Sequence, residues 1–200
     1  MRASVRRGAL VAITLSVPLA AEGGTTVSLQ TGHVIPMGDV VRGQPLADAF
    51  RGDRPLRLEV GLPVSDQLRL GVYGQYGFLG VQCFEASDCS GRSLRAGLLL
   101  TLLDASGPFV PWLAAGAGLE QVRREWRNPY FGSGAQEVLQ LTGWELSLQV
   151  GVDWALSRRF ALGPYVLATV GRYERGSPAA SADRSFHGWA HLGMSLRFVL

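Results

Sequence analysis

The stretch Gln67-Leu68-Arg69-Leu70-Gly71-Val72-Tyr73-Gly74-Gln75-Tyr76-Gly77-Phe78 decides the fold. Leu68, Leu70, Val72, Gly74, Tyr76 and Phe78 occupy every second position, with Gln67, Arg69, Gly71, Tyr73, Gln75 and Gly77 between them. Period two is the strand period, because successive side chains of a β-strand point to opposite faces. One face is greasy, and the opposite one is polar or nearly bare.

The same split recurs along the chain. Leu56, Leu58, Val60, Leu62 and Val64 oppose Arg57, Glu59, Gly61 and Pro63. Leu94 to Leu102, Trp144 to Trp154 and Leu192 to Leu200 repeat it, and weaker versions run through 25–35, 109–122 and 160–173, which makes eight strands. The connections alternate: long loops at 36–53, 80–91, 123–137 and 174–185, tight turns at 65–66, 104–108 and 157–159. An antiparallel up-and-down sheet of even strand number has this rhythm, with both termini on the short-turn side. Parallel βαβ architecture is excluded, since no helical period separates the strands.

Of the 200 residues, 47% are hydrophobic and only 18% charged, with 26 glycines, which fits neither a disordered chain nor an ordinary soluble helical protein. A second large domain is excluded by length. Met1 to Arg7 is basic, Gly8 to Val17 is apolar, and Pro18-Leu19-Ala20-Ala21 supplies a breaker and small residues. That is the layout of a secretory signal peptide, so the expected division is 1–21 signal and 22–200 barrel. Arg6-Arg7 could form a twin-arginine motif, but the flanking residues match it poorly. Without Arg2, Arg6 and Arg7 the chain has 16 Arg against 16 Asp and Glu, which argues against a nucleic-acid partner. No apolar run after Ala21 is long enough for a transmembrane helix, so a membrane form must cross with strands.

Alternation alone leaves open whether the greasy face lines a cavity or coats the exterior. The other face decides, because Gly and Ala with sparse charges suit an enclosed space rather than water. Eight strands close to an interior that side chains just fill. Arg57, Arg69, Arg95 and Arg197 balance Glu59, Glu145, Asp153 and Glu120, and buried charges need partners. His191 joins this expected polar network. The greasy face is uncharged except for Arg172 near a strand end, and Tyr76, Phe78, Phe109, Trp144, Trp154, Phe160 and Phe198 lie near strand ends, as an interfacial girdle requires. The fold class expected is therefore all-β, an eight-stranded antiparallel up-and-down transmembrane barrel.

With its signal layout, alternating loops and final Leu196-Arg197-Phe198-Val199-Leu200, the chain resembles small outer-membrane β-barrels of the OmpA and OmpX kind. Phe198 stands third from the end, where such barrels usually finish on an aromatic. Gly32-His33-Val34-Ile35-Pro36-Met37-Gly38-Asp39 and the Cys83 to Cys89 segment before Ser90-Gly91-Arg92 are similar to uncharacterised myxobacterial barrel proteins. The resemblance implies outer-membrane localisation, with membrane lipid, lipopolysaccharide and the assembly machinery as partners, and a monomer.

Cys83 and Cys89 are the only cysteines and share one expected loop; in an exported protein they read as a disulfide. A zinc site would need further Cys or His, and no metal or cofactor is expected. His187 and His191 fall on the inner face of the last strand, and His33 on the outer face of the first. Because some small outer-membrane barrels modify lipid A at the rim, Ser185, His187 and Glu174 form a candidate nucleophile, base and orienter, set against a passive polar role. Gly116-Ala117-Gly118 lacks the third glycine and the helix of a dinucleotide site. Arg123-Arg124-Glu125-Trp126-Arg127 reads as a loop base, either solvated or touching lipopolysaccharide phosphates. The favoured function is non-enzymatic, structural or surface-interacting through four long loops. The alternatives are a lipid A-modifying deacylase or acyltransferase at the rim, and a soluble periplasmic barrel holding an apolar ligand.

Overall fold

A computed structural model describes residues 24–41, 43–81, 89–104, 107–127, 136–177 and 185–200. The signal segment and Cys83 lie outside the described residues.

The period-two segments become strands β1 (Thr26–Val41), β3 (Phe50–Pro63), β4 (Leu68–Val81), β5 (Cys89–Leu103), β6 (Phe109–Arg127), β7 (Gln136–Ser157), β8 (Phe160–Ser177) and β9 (Phe186–Val199). A two-residue strand β2 (Gln44–Pro45) and a short helix α1 (Leu46–Ala49) lie between β1 and β3. Each long strand pairs antiparallel with the next long strand, and β9 returns to β1, which closes an eight-stranded barrel with β2 appended to β1. Closure leaves the ring without an exposed edge.

Orientation follows the chemistry of the two faces. Leu56, Leu98, Leu119, Leu148, Leu192 and their neighbours in the alternating rows are exposed on the outer wall. Arg57, Arg95, Glu145 and Gln149 are buried inside. A barrel holding an apolar ligand would invert this arrangement, so that alternative is set aside. The outer aromatics form two levels. Phe109 stacks near Trp154 and Phe160 meets Phe198 at the short-turn end, while Tyr76 meets Phe78 and Trp144 meets Phe186 at the long-loop end.

Three features differ from expectation. The 36–53 loop is largely structured: β1 continues to Val41, the Gly43 N–H donates to Asp39 Oδ2 at 3.1 Å, and α1 delivers Leu46 and Phe50 into the barrel mouth, both fully buried. Gly, Pro and Asp signalled a loop, but its apolar residues gain by leaving water. Second, the strands outrun the greasy band. Arg123 to Arg127, expected as a loop base, belong to β6 and pair with 136–140 of β7, because ladder hydrogen bonds continue beyond the apolar segment. Third, the interior is not merely polar. One apolar cluster at the long-loop end includes Val34, Leu46, Phe50, Tyr173 and Trp189, and another nearer the short turns includes Leu99, Trp112, Tyr165 and Leu167.

The β1–β3 joint is the irregular one. β1 holds β9 from Thr26 to Gly38 but pairs with β3 only from Thr26 to Val34. Pro55 has no N–H to donate there, and β3 carries a register shift between Phe50 and Gly52, with Gly52 at φ 140°.

Candidate functional site: the packed lumen

Two adjacent rows of register partners in the sheet carry most of the interior charges. In the first, Gln30, Arg57, Gln75, Arg95 and Glu120 are successive register partners across β1, β3, β4, β5 and β6. In the second, Ser28, Glu59, Tyr73, Gly97, Gly118, Glu145, Gly171 and His187 follow one another through β9. Alternation points every member inward. The network is thus set by register, and a one-residue slip would turn all of it outward.

Three arginines each combine a carboxylate with an aromatic ring. Arg57 Nε donates to Glu59 Oε1 at 2.7 Å, and its guanidinium lies 3.7 Å from the Tyr73 ring centroid. Arg95 Nη2 donates to Glu120 Oε1 at 3.0 Å, pairs with Glu145 Oε2 at 3.6 Å, and sits 5.0 Å from the Trp189 ring. Arg197 Nη1 meets Asp153 Oδ2 at 2.7 Å with Trp112 below it at 5.0 Å, while Trp112 Nε1 donates to Asp153 Oδ1 at 3.0 Å. An aromatic face attracts a cation and costs no hydrogen-bond acceptor, so each guanidinium is held by a carboxylate at its edge and a ring at its face.

Secondary links tie the units into one body. Gln149 donates to Glu59 at 3.0 Å, and Arg95 Nη1 lies 3.1 Å from His191 Nε2. A guanidinium has only donors, so that imidazole nitrogen accepts. His187 Nε2 is 2.8 Å from Glu120 Oε2, and its ring stacks on Tyr173 at 3.8 Å. A cavity of about 20 Å³ near Thr26, Glu59, Arg69 and Arg197 is the size of one water. Among the described residues no group of three His, Cys, Asp or Glu could hold a metal.

Of the residues expected in the network, Arg57, Glu59, Arg95, Glu145, Asp153, His191 and Arg197 are buried and joined as described. Arg69 lies half-buried near the short turns, where it borders the small cavity with Glu59 and Arg197 and donates to the Gly24 carbonyl at 2.8 Å. Asp53, held by the Ser93 hydroxyl at 2.7 Å, was missed because its period places it above the clear alternation of β3. The rim triad does not assemble: His187 is buried in the lumen against Glu120, while Glu174 is exposed on the outer side of β8.

No family model and no curated protein matches the chain. Solved structures do. Neisserial surface protein A aligns at a TM-score of 0.54 and 17% identity, covering 88% of this chain and 97% of that one. Ail, the attachment invasion locus protein of Yersinia pestis, gives 0.53 and 13% over 88% and 99%. OprG, an outer membrane protein of Pseudomonas aeruginosa, gives 0.51 and 12% over 91% and 99%. The fold is that of the small outer-membrane barrels. At such identities the likeness carries architecture alone, and the myxobacterial resemblance stays an expectation of the sequence.

Proposed function

We propose that the chain is a non-enzymatic barrel of a Gram-negative outer membrane, exported through residues 1–21, folded by the outer-membrane assembly machinery and presenting its long-loop end at the surface as a monomer. The observation that carries this is the closed cylinder with an oily outer wall and an interior filled by its own paired charges. Such a wall is stable only in hydrocarbon, and such an interior leaves no path for solutes. The names of two similar proteins, a surface protein and an attachment invasion protein, support a surface-interaction role over a transport role.

The test is expression in a Gram-negative host followed by fractionation. Recovery in detergent-extracted outer membranes, with electrophoretic migration that changes on boiling, is the expected result. Recovery in the soluble periplasmic fraction would sink the proposal. An altered lipid A acyl pattern on expression would restore the enzymatic alternative.

A further inference from the structure

At the long-loop end of the outer wall, the irregular β1–β3 joint leaves a recess of about 370 Å³. Its floor is the register pair Gly52 and Gly80, which present no side chains. His33, Arg51, Arg54 and Phe78 stand around it. Asp53 and Leu79 also border the recess, but both are buried, and the Asp53 carboxylate is bonded to Ser93 in the lumen. The negative charge on β3 is therefore turned away from the opening.

The cations extend sideways. Arg54 is the register partner of Phe78, and Phe78 of Arg92. Adjacent strands lie about 4.8 Å apart, so the Arg54 and Arg92 backbones stand about 10 Å apart. Arginine side chains are long enough to meet over the ring between them. Arg51, Arg54 and Arg92 are exposed, and no hydrogen bond or ion pair joins their side chains to another described residue. Nearby Asp39 is engaged with the Gly43 N–H, and Asp48 is exposed on α1. Arg123, next along the row, is paired with Glu125 at 2.6 Å.

Directly below Arg54 and Arg92 on the same face come Leu56, Leu58, Leu94 and Leu98, all exposed. Cations that no other described residue pairs, immediately above an oily wall, match an amphiphile whose anionic head and acyl chains lie along one line. We propose that this recess binds the phosphate of a lipid headgroup, with Arg51, Arg54 and Arg92 as counter-charges, His33 and Phe78 as walls, and the acyl chains along the leucine rows. A free anion would make no use of the leucines. The inference rests on the membrane reading above and names the lipid chemistry it meets.

Native mass spectrometry of the detergent-solubilised barrel, titrated with bisphosphorylated lipid A, tests it. The triple variant Arg51→Ala, Arg54→Ala, Arg92→Ala alters only outward side chains, so heat-modifiable migration should persist. Its lipid A retention should fall at least about tenfold, the scale set by removing three cations from an anionic surface. Arg158→Ala with Arg159→Ala at the short-turn end should retain lipid A as the parent does. Equal retention by parent and triple variant, or equal retention of dephosphorylated lipid A, overturns the site while leaving the membrane barrel standing. So does displacement of the lipid by millimolar inorganic phosphate, which would make the occupant a free anion. Loss of heat-modifiable migration in the parent would instead count against the membrane reading itself.

Discussion

Tyr73 and Glu145 sit three strands apart, yet the phenol donates a 2.7 Å hydrogen bond to Glu145 Oε1 by lying across Gly97 and Gly118. A side chain at either glycine would occupy the ring's place: a Cβ on Gly97 would stand 2.8 Å from Tyr73 Cε1, and one on Gly118 would collide with the hydroxyl. The pattern repeats where Trp112 lies against Gly151 and Tyr165 against Gly193. Large and small residues alternate around a small barrel because only so much volume fits inside.

Gly118→Ala should therefore destabilise the barrel by about 1–3 kcal/mol through overpacking. Tyr73→Phe should cost a similar amount, about 1–3 kcal/mol, by leaving a buried Glu145 oxygen without its donor. Urea unfolding of the refolded barrel, followed by tryptophan fluorescence, measures both. Because one contact is shared, the double variant should lose less than the two singles together, and strict additivity would refute the coupling.

Arg95→Leu strands Glu120 and Glu145 in a dry interior, at an expected cost of about 3–5 kcal/mol. Arg123→Leu removes a partner of Glu125 in a pair whose side chains are 34% and 27% exposed. Water screens that pair, so its loss should cost no more than about 1 kcal/mol. Denaturant midpoints of the two variants compared with the parent decide the matter, and comparable losses would contradict the burial argument.

Membrane insertion makes the outer wall selective. Leu148→Arg at mid-wall should cost about 2–4 kcal/mol in a bilayer, whereas Phe78→Arg near the rim should cost about 0–1 kcal/mol. Equilibrium unfolding from phospholipid vesicles gives both values. Tolerance of arginine at position 148 would mean that this wall meets water.

Cys89 opens β5, and its expected partner Cys83 lies outside the described residues. Protein isolated from an oxidising compartment, unfolded and alkylated without reductant, should gain no mass. Two alkyl groups per chain would exclude the disulfide.

Strand count, orientation and much of the lumen were legible because alternation reports the face of a residue directly. Arg57, Glu59, Arg95 and Glu145 could be placed inside from parity alone. Partner choice could not, since it depends on register: Arg95 meets Glu120 because β5 and β6 align those two residues, and sequence spacing holds no trace of that alignment. Arg69 makes the same point: parity turns it inward beside Glu59 and Arg197, but its acceptor, the Gly24 backbone carbonyl, could not be read from spacing. Leu46 and Phe50 were hidden by turn-forming neighbours, and the aromatic lining by glycines that looked like empty space but are the seats of Tyr73, Trp112 and Tyr165.

A welded hoop tears at its shortest weld. Here that weld joins the first and third strands, where the ladder stops at Val34 and Asp53, while the sixth and seventh stay joined from Phe109 to Arg127. Heat or pulling should part the cylinder first at this seam, with deuterium entering the amides of Asp53 and Arg57, which face the first strand, ahead of those of Ala114 and Gln149, which face each other across the sixth and seventh. The same lapse that opens a cationic notch in the wall thus also chooses where the molecule begins to come undone.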